Sequence, residues 1–338
     1  VKKIPVAEAV GSILCHDITQ IIQDVTKQAI FRKGHVIAAE DVPVLLSLGK
    51  ENIYVWEADE TMMHENDAAE ILYGFCHNEG IAKSEVKEGK IEAIATRDGC
   101  LKVDTTRLLN LNLVEEIMIA TIHSNRFVKQ GEKLAGMRVI PLAIAKDKME
   151  SLAKMVGETP LLNLIPFNRK KVGIVTTGSE IFKGRITDKF GPVIREKLAP
   201  FGCEILGQTI TDDKVADIVS AIKAYIEMGA DMVVCTGGMS VDPDDVTPSA
   251  IREVGAEVIS YGAPVLPGAM FLLSYLDGKP ILGLPGCVMY SKATIFDLVL
   301  PRIMIDERLT KLDLAILGHG GFCNSCSTCN YPSCAFGK

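Results

Sequence analysis

The stretch Cys235-Thr-Gly-Gly-Met-Ser-Val-Asp-Pro-Asp-Asp-Val-Thr247 continues an apolar run, Met232 to Cys235, and delivers Asp242, Asp244 and Asp245 just beyond a glycine pair. A second apolar run, Val172 to Val175, opens the same way into Thr176-Thr-Gly-Ser-Glu180. Glycine lets backbone approach a ligand closely and turn its N–H groups toward it. Two such strand ends in an open α/β sheet suggest an anion site at the carboxyl edge. Carboxylates beside that site need a cation to share, most simply Mg²⁺ bridging carboxylate and phosphate. Neither turn matches a P-loop or a dinucleotide fingerprint, and the plainer alternative is glycines that only turn the chain and acids that only cap helices. A third strand end, Gly283-Leu-Pro-Gly286, makes chance a weaker account of the set.

A separate chemistry is written near the other end. Cys323-x₂-Cys326-x₂-Cys329-x₄-Cys334 places four thiols on a short, turn-rich run. In a reducing compartment, thiolates at this spacing suit an Fe–S cluster or Zn²⁺ rather than disulfides. The spacing is similar to a ferredoxin-type run, with the last gap one residue longer and Pro332 before the final cysteine instead of a proline after it. The bland alternative is an unstructured thiol-rich end. The other six cysteines are scattered and are expected to be small buried hydrophobes. His16, His35, His64, His77 and His123 show no metal-ligand spacing, His319 sits between glycines as a loop residue, and Trp56 is expected to pack in its sheet.

These residues need a frame. From Lys171 onward strands and helices alternate: strand 171–175, helix 188–201, extended 203–209, helix 213–228 with Asp212 or Asp213 as N-cap, and strand 231–235. A short helix 248–254, a strand 256–261, a hairpin of 270–275 with 279–284 turning at Asp277-Gly278, and a helix 288–304 follow. The order implies an α/β domain with a three-layer, mostly parallel sheet. The first half is α+β and strand-rich. It has a strand–turn–strand at 31–37, a helix at 39–48, a strand at 52–56 and a helix at 65–79, then short strands to a last run at 139–144 that Pro141 interrupts. The expected division is 1–165, open to two subdomains, then 166–305, then a cysteine-rich tail 306–338. A formal net charge of −7 argues against a general nucleic-acid partner. No apolar run reaches the ~20 residues of a membrane helix, and the N-terminus lacks a signal-peptide core, so a cytoplasmic protein is expected.

Residues 166–305 resemble the molybdopterin-binding domain shared by molybdenum cofactor biosynthesis proteins. The likeness runs through Thr-Gly-Ser-Glu180, Asp188, Thr-Gly-Gly-x-Ser240 leading to Asp245-x-Thr247, Pro267-Gly268, and Gly283-Leu-Pro-Gly286, in order. It implies that Glu180, Asp188 and Asp245 take the catalytic acidic positions that serve Mg²⁺ and molybdate. It likewise implies that Thr177, Gly178, Ser179, Gly237, Gly238, Ser240, Asp242, Thr247, Pro267, Gly268, Pro285 and Gly286 cradle molybdopterin or its adenylylated form. The implied activity is that of a molybdenum insertase, a molybdopterin molybdenumtransferase that inserts molybdate and releases AMP. A molybdoenzyme or another cofactor-biosynthesis protein would be a partner, and a homo-oligomer the expected assembly. The chain departs from that pattern: Asp242 stands where insertases commonly carry glycine, and Lys189 and Cys287 stand where asparagine is usual. The first half lacks their Pro-x-Gly-Ala-Asp motif, and no long β-barrel segment follows residue 305. Pro243-Asp244-Asp245-Val-Thr247 also resembles the loop of competence-damage-inducible proteins, which implies nucleotide pyrophosphate hydrolysis as the alternative enzyme. A carrier or sensor of the molybdenum cofactor is the alternative without catalysis.

Overall fold

The computed structural model describes residues 1–22, 26–56, 59–240 and 242–338. They form two units: 1–97 with 102–122 and 129–164, and 98–101 with 123–128 and 165–338. Among the described residues no helix is long and apolar enough to cross a membrane.

The first unit begins with strand Lys2–Pro5 paired antiparallel to Asn52–Val55, and a hairpin of Ile18–Ile22 with Thr26–Phe31. Helix Asp41–Ser47 lies between them in sequence, and Gly49 at φ 73° follows its end. Leu14, Ile37, Leu45 and Ile53 close this small core. Beyond it, Ile81–Lys83, Ile91–Ala95, Lys133–Val139 and Ile117–Thr121 make a four-stranded antiparallel sheet in that order. Helix Glu65–Gly74 is shorter than its apolar spacing predicts, because the chain leaves the helix at Phe75. The run expected at 139–144 is two strands. Lys133–Val139 stops before Pro141, and Ala143–Ala145 pairs instead with Met62–His64, as the missing proline donor requires. Buried His64 is structural: Nε2 bonds to the Cys15 carbonyl (2.7 Å) and Nδ1 accepts the Asn66 N–H (3.1 Å). Trp56 lies just past strand Asn52–Val55, 42% exposed, with its ring 5.9 Å from that of His64.

The second unit carries the alternating elements: β1 Lys171–Thr177, α1 Ser179–Phe182, α2 Phe190–Leu198, β2 Glu204–Thr211, α3 Val215–Glu227, β3 Met232–Thr236, α4 Thr247–Glu253, β4 Glu257–Tyr261, β5 Leu272–Leu276, β6 Lys279–Leu284, α5 Ile295–Ile303 and α6 Lys311–Ile316. One six-stranded sheet has the order β2-β1-β3-β6-β5-β4. The first four strands run parallel, and β5 and β4 add an antiparallel edge. Its strands are apolar on both faces because both are covered. Val172, Ile174, Val234 and Leu282 pack with α2 and α5, while Val175, Val233, Cys235 and Ile281 pack with α3 and α4. The predicted three-layer architecture stands. Where β1 faces α3, Gly173 leaves room for the Tyr225 ring, which would lie 2.3 Å from an added Cβ. The β5–β6 turn has Asp277 at φ 50° and Gly278 at φ 78°, the paired positive angles of a tight hairpin. Residues 306–338 belong to this unit: Leu309, Leu314 and Phe336 lie in its core.

Candidate functional site

At the carboxyl edge of the sheet two turns meet. Gly178 follows β1 at φ 146°, and Gly237 and Gly238 follow β3 at 85° and 54°. The strands are parallel neighbours, so the turns lie side by side. A Cβ on Gly237 would stand 2.1 Å from the Thr177 carbonyl oxygen, and one on Gly238 2.9 Å from Thr247 Oγ1. Glycine is therefore needed there for both backbone angle and space. Beneath the turns, buried hydroxyls tie the strands together. Thr236 Oγ1 donates to Thr176 Oγ1 (3.1 Å), and Gln208 Nε2 donates to the same atom (2.9 Å) and to Asp188 Oδ2 (2.7 Å). Thr247 Oγ1 donates to the Gly237 carbonyl (2.9 Å) and lies 3.3 Å from Thr177 Oγ1. From β4, the Tyr261 hydroxyl donates to the Met239 carbonyl (2.9 Å). Burial, with Asp245 nearby, pushes that phenol above its ordinary range.

The turns open into a cavity of about 950 Å³, within the size range of small-molecule sites. Thr177, Gly178, Glu180, Gly237, Gly238, Ser240, Asp245, Pro285 and Gly286, all singled out in the sequence, line it together. The remaining sequence candidates do not. Asp188 accepts the Phe190 and Gly191 N–H groups (2.8 and 3.1 Å), holding the start of α2. Thr247 clamps the two turns from below. Gly268 lies behind the wall, where an added Cβ would be 2.6 Å from Ile295 Cγ2. Asp242 is exposed, and its carbonyl accepts the Asp245 N–H (2.9 Å). Ser179 sits between lining residues Gly178 and Glu180, and Pro267 two residues before Ala269, neither of them lining the cavity.

Sequence reasoning missed Asp213. Neither it nor Asp212 caps α3, whose N-cap is Lys214 without a side-chain bond. Instead, Asp213 Oδ2 accepts the Ser179 N–H and Asp212 Oδ1 accepts the Ser179 hydroxyl, each at 2.7 Å. The Ser179 hydroxyl holds the Asp212 carboxyl below its usual range. The available signal was position: this acid pair follows β2 at the same edge as the glycine turns. Met239, Met270, Met289 and Tyr290, an apolar part of the lining, carried no such signal. Cys287 joins them, its thiol raised by burial and so kept protonated near neutrality. Asp245 Oδ2 accepts the Ser240 N–H (2.9 Å), which fixes its loop. Among the described lining residues, Glu180, Asp213 and Asp245 face one cation, Lys189.

The four tail thiols are free. Cys323 and Cys334 are half-buried against the core, and Cys326 and Cys329 are exposed. Among the described residues no group of three or more His, Cys, Asp or Glu is gathered that could hold a metal.

Residues 173–304 match the family model described as a probable molybdopterin binding domain, and residues 3–57 match one described as a domain of unknown function, DUF8806. CinA-like proteins of Mycobacterium tuberculosis and Mycobacterium marinum are 37% and 34% identical over 90 residues, 26% of this chain and 21% of theirs. The chain thus matches about a fifth of the length of these curated relatives. Among solved structures, the molybdopterin biosynthesis enzyme MoaB of Thermus thermophilus is 22% identical with a TM-score of 0.34, covering 42% of this chain and 99% of that one. The molybdopterin biosynthesis MoeA protein of Pyrococcus horikoshii is 17% identical with a TM-score of 0.34, covering 72% and 80%. Residues 173–304, with their glycine turns and strand-end acids in the family's order, are a domain of the molybdopterin-binding family.

Proposed function

We propose that the cavity binds molybdopterin or its adenylylated form and serves molybdenum cofactor biosynthesis. The observation that carries this reading is the pairing of two glycine turns with carboxylates that, among the described lining residues, outnumber Lys189. A phosphorylated ligand in such a cavity meets net negative charge, so it must enter with a counter-cation. The donor set fits Mg²⁺, which takes one or two protein carboxylates and completes its shell with water and phosphate oxygens. A gathered cage of three acids is therefore not required. Glu180 and Asp245 would hold the ion, and bound Mg²⁺ would neutralise phosphate charge and polarise a P–O bond.

The chain's own residues divide the remaining work. The Thr177–Gly178 and Gly237–Gly238 backbones approach the anion, and Lys189 adds a positive charge. Asp213 and Asp188 act as positioning residues, the first on the Ser179 turn and the second on α2. Tyr290 and the methionines offer an apolar wall for a ring system. On this reading molybdate is inserted with release of AMP, and the product passes to a molybdoenzyme or another cofactor-biosynthesis protein. The 37% identity to CinA-like proteins over 90 residues favours a second reading, hydrolysis of a nucleotide pyrophosphate in the same cavity.

The test is isothermal titration of the anaerobically purified chain with adenylylated molybdopterin, with and without Mg²⁺, followed by molybdate and detection of AMP. Mg²⁺-dependent binding with molybdate-dependent AMP release supports insertion. Binding without release leaves a carrier. No binding, together with turnover of AMP-containing dinucleotides, moves the second reading to the front. Asp245→Asn can keep the Ser240 hydrogen bond while losing the charge, so Mg²⁺-dependent turnover should fall at least roughly a hundredfold, about 2.7 kcal/mol. Turnover unchanged in that variant would remove Asp245 from the site.

A further inference from the structure

Both ends of the cysteine run are fastened to the second unit. The Cys323 N–H donates to the Leu266 carbonyl, and the Leu266 N–H to the Gly321 carbonyl, each at 2.8 Å. At the far end the Gly337 N–H donates to the Gly320 carbonyl (2.9 Å), so the loop is closed at its base. Phe336 is buried in the core, and the Tyr331 hydroxyl donates to the Asp297 carbonyl of α5 (3.0 Å). Between these anchors the segment Asn324-Ser-Cys-Ser-Thr-Cys-Asn330 is exposed throughout and forms no helix or strand. It holds no aliphatic or aromatic side chain. Fixing each such residue costs on the order of 1–2 kcal/mol of backbone entropy, which apolar packing cannot offset here. The side chains able to crosslink this loop are its thiols. Two are already seated against the core at the loop's ends, Cys323 and Cys334, and two stand free on its crest, Cys326 and Cys329.

We propose that residues 321–337 are a metal-closed loop, in which Cys323, Cys326, Cys329 and Cys334 together ligate one thiophilic centre, zinc or an iron–sulfur cluster. Among the described residues the four thiols are not gathered, so ligation requires the exposed crest to move. On closure the crest folds toward the two half-buried thiols, each thiol passes its proton to solvent, and the thiolate takes a metal coordination position. The seated pair provides a fixed half of the site, so ordering is confined to the crest. The loop's anchors adjoin two stretches of the cavity wall. Leu266 precedes Ala269 and Met270, and α5, which receives Tyr331, follows the Gly286–Met289 turn. Closing the loop therefore braces the unit that carries the cavity.

The full chain, purified anaerobically and stripped with a chelator, would be loaded in parallel with Zn²⁺ and with mixed Fe²⁺ and Fe³⁺ plus sulfide, the ferric iron supplying the oxidation level of a reducible cluster. Bound metal would be counted after gel filtration, and alkylation of each cysteine followed by peptide mapping. One centre per chain is expected, with Cys326 and Cys329 alkylated at least roughly tenfold more slowly when loaded, and a raised melting temperature. Colourless zinc protein or a brown, reducible cluster would identify which centre the loop takes, and either supports the site. Cys326→Ser and Cys329→Ser change exposed side chains, so the fold should survive while bound metal falls at least roughly tenfold. Cys203→Ser, outside the loop, should bind as the parent does. Unchanged alkylation of the crest thiols, no retained metal, or equal retention in the crest variants would overturn the proposal.

Discussion

Gly237 and Gly286 line the same cavity under opposite constraints, and substituting them separates folding from binding. Gly237 sits at φ 85° with the Thr177 carbonyl 2.1 Å from any added Cβ, so Gly237→Ala must strain the backbone and push β1 and β3 apart. A cost of about 1–3 kcal/mol is expected from the angle alone, read as a lower midpoint in urea. Gly286 has nothing within 4 Å of an added Cβ. Gly286→Val should keep the parent's urea midpoint yet weaken ligand binding at least roughly tenfold, about 1.4 kcal/mol, by filling the cavity. Equal affinity in Gly286→Val would place the ligand elsewhere. At this scale the sequence was informative where backbone geometry dictates residue type, as at Gly178, Gly237 and Gly238. It misled where an acid has several possible duties. Asp188 and Asp245 look alike in the motif, but Asp188 is occupied by two backbone N–H groups and Gln208 behind the wall, whereas Asp245 lines it. Asp213 resembled a helix cap because local spacing cannot reveal that β2 delivers it beside Ser179.

Elements were legible in proportion to their period. The buried runs of β1 and β3 and the stripes of α2 and α3 announce themselves, because a sheet covered on both faces requires continuous apolar strands and one-sided helices. The first unit was less legible, since its short antiparallel strands depend on partners distant in sequence, as with Ala143–Ala145 and Met62–His64. Helix α6 escaped notice although its capping box is complete: Thr310 accepts the Asp313 N–H (3.3 Å), and Asp313 accepts the Thr310 N–H (2.8 Å). Burial acts to raise the Asp313 carboxyl, but the Thr310 hydroxyl and Arg302 (2.5 Å) outweigh it and draw it down to about 2. Its unfolded value is about 3.9. The stabilisation is therefore fully present above about pH 4 and is lost as pH falls toward about 2. Asp313→Asn should cost about 1 kcal/mol near neutrality, a figure already moderated for partial solvation, and the gap to the parent should close below about pH 3. Urea midpoints at both pH values would show it. A gap that widened on acidification would mean the carboxylate is not the stabilising form.

The whole chain does not divide where its composition changes. The second unit takes in residues 98–101 and 123–128 from within the first half, and these pair as Gly99–Leu101 against Arg126–Val128. Through them Phe127 stacks on Phe167 (5.0 Å between ring centroids, 17° between planes) and meets Phe201 edge-on (5.2 Å, 86°). Phe167 follows strand Leu162–Ile165, and Phe201 ends the turn after α2, so this cluster joins three distant stretches of chain beside the sheet that builds the cavity. The boundary expected at residue 165 would cut that strand pair away. A chain beginning at Ile165 should therefore fold less stably than the same unit within the parent. Phe127→Ala in the full chain should reproduce part of the loss, about 2 kcal/mol for a half-buried ring with two aromatic partners. For a unit of this size that is a fall of about 4–8 °C in melting temperature. Calorimetry can assign the affected transition, because a cavity ligand that binds the second unit should raise that transition by mass action. If Phe127→Ala leaves the ligand-sensitive transition in place and the chain from Ile165 melts with it, the strand pair is peripheral and the second unit is self-sufficient. If both fall together, the cavity's stability depends on a strand pair encoded some forty residues or more before the domain that contains it.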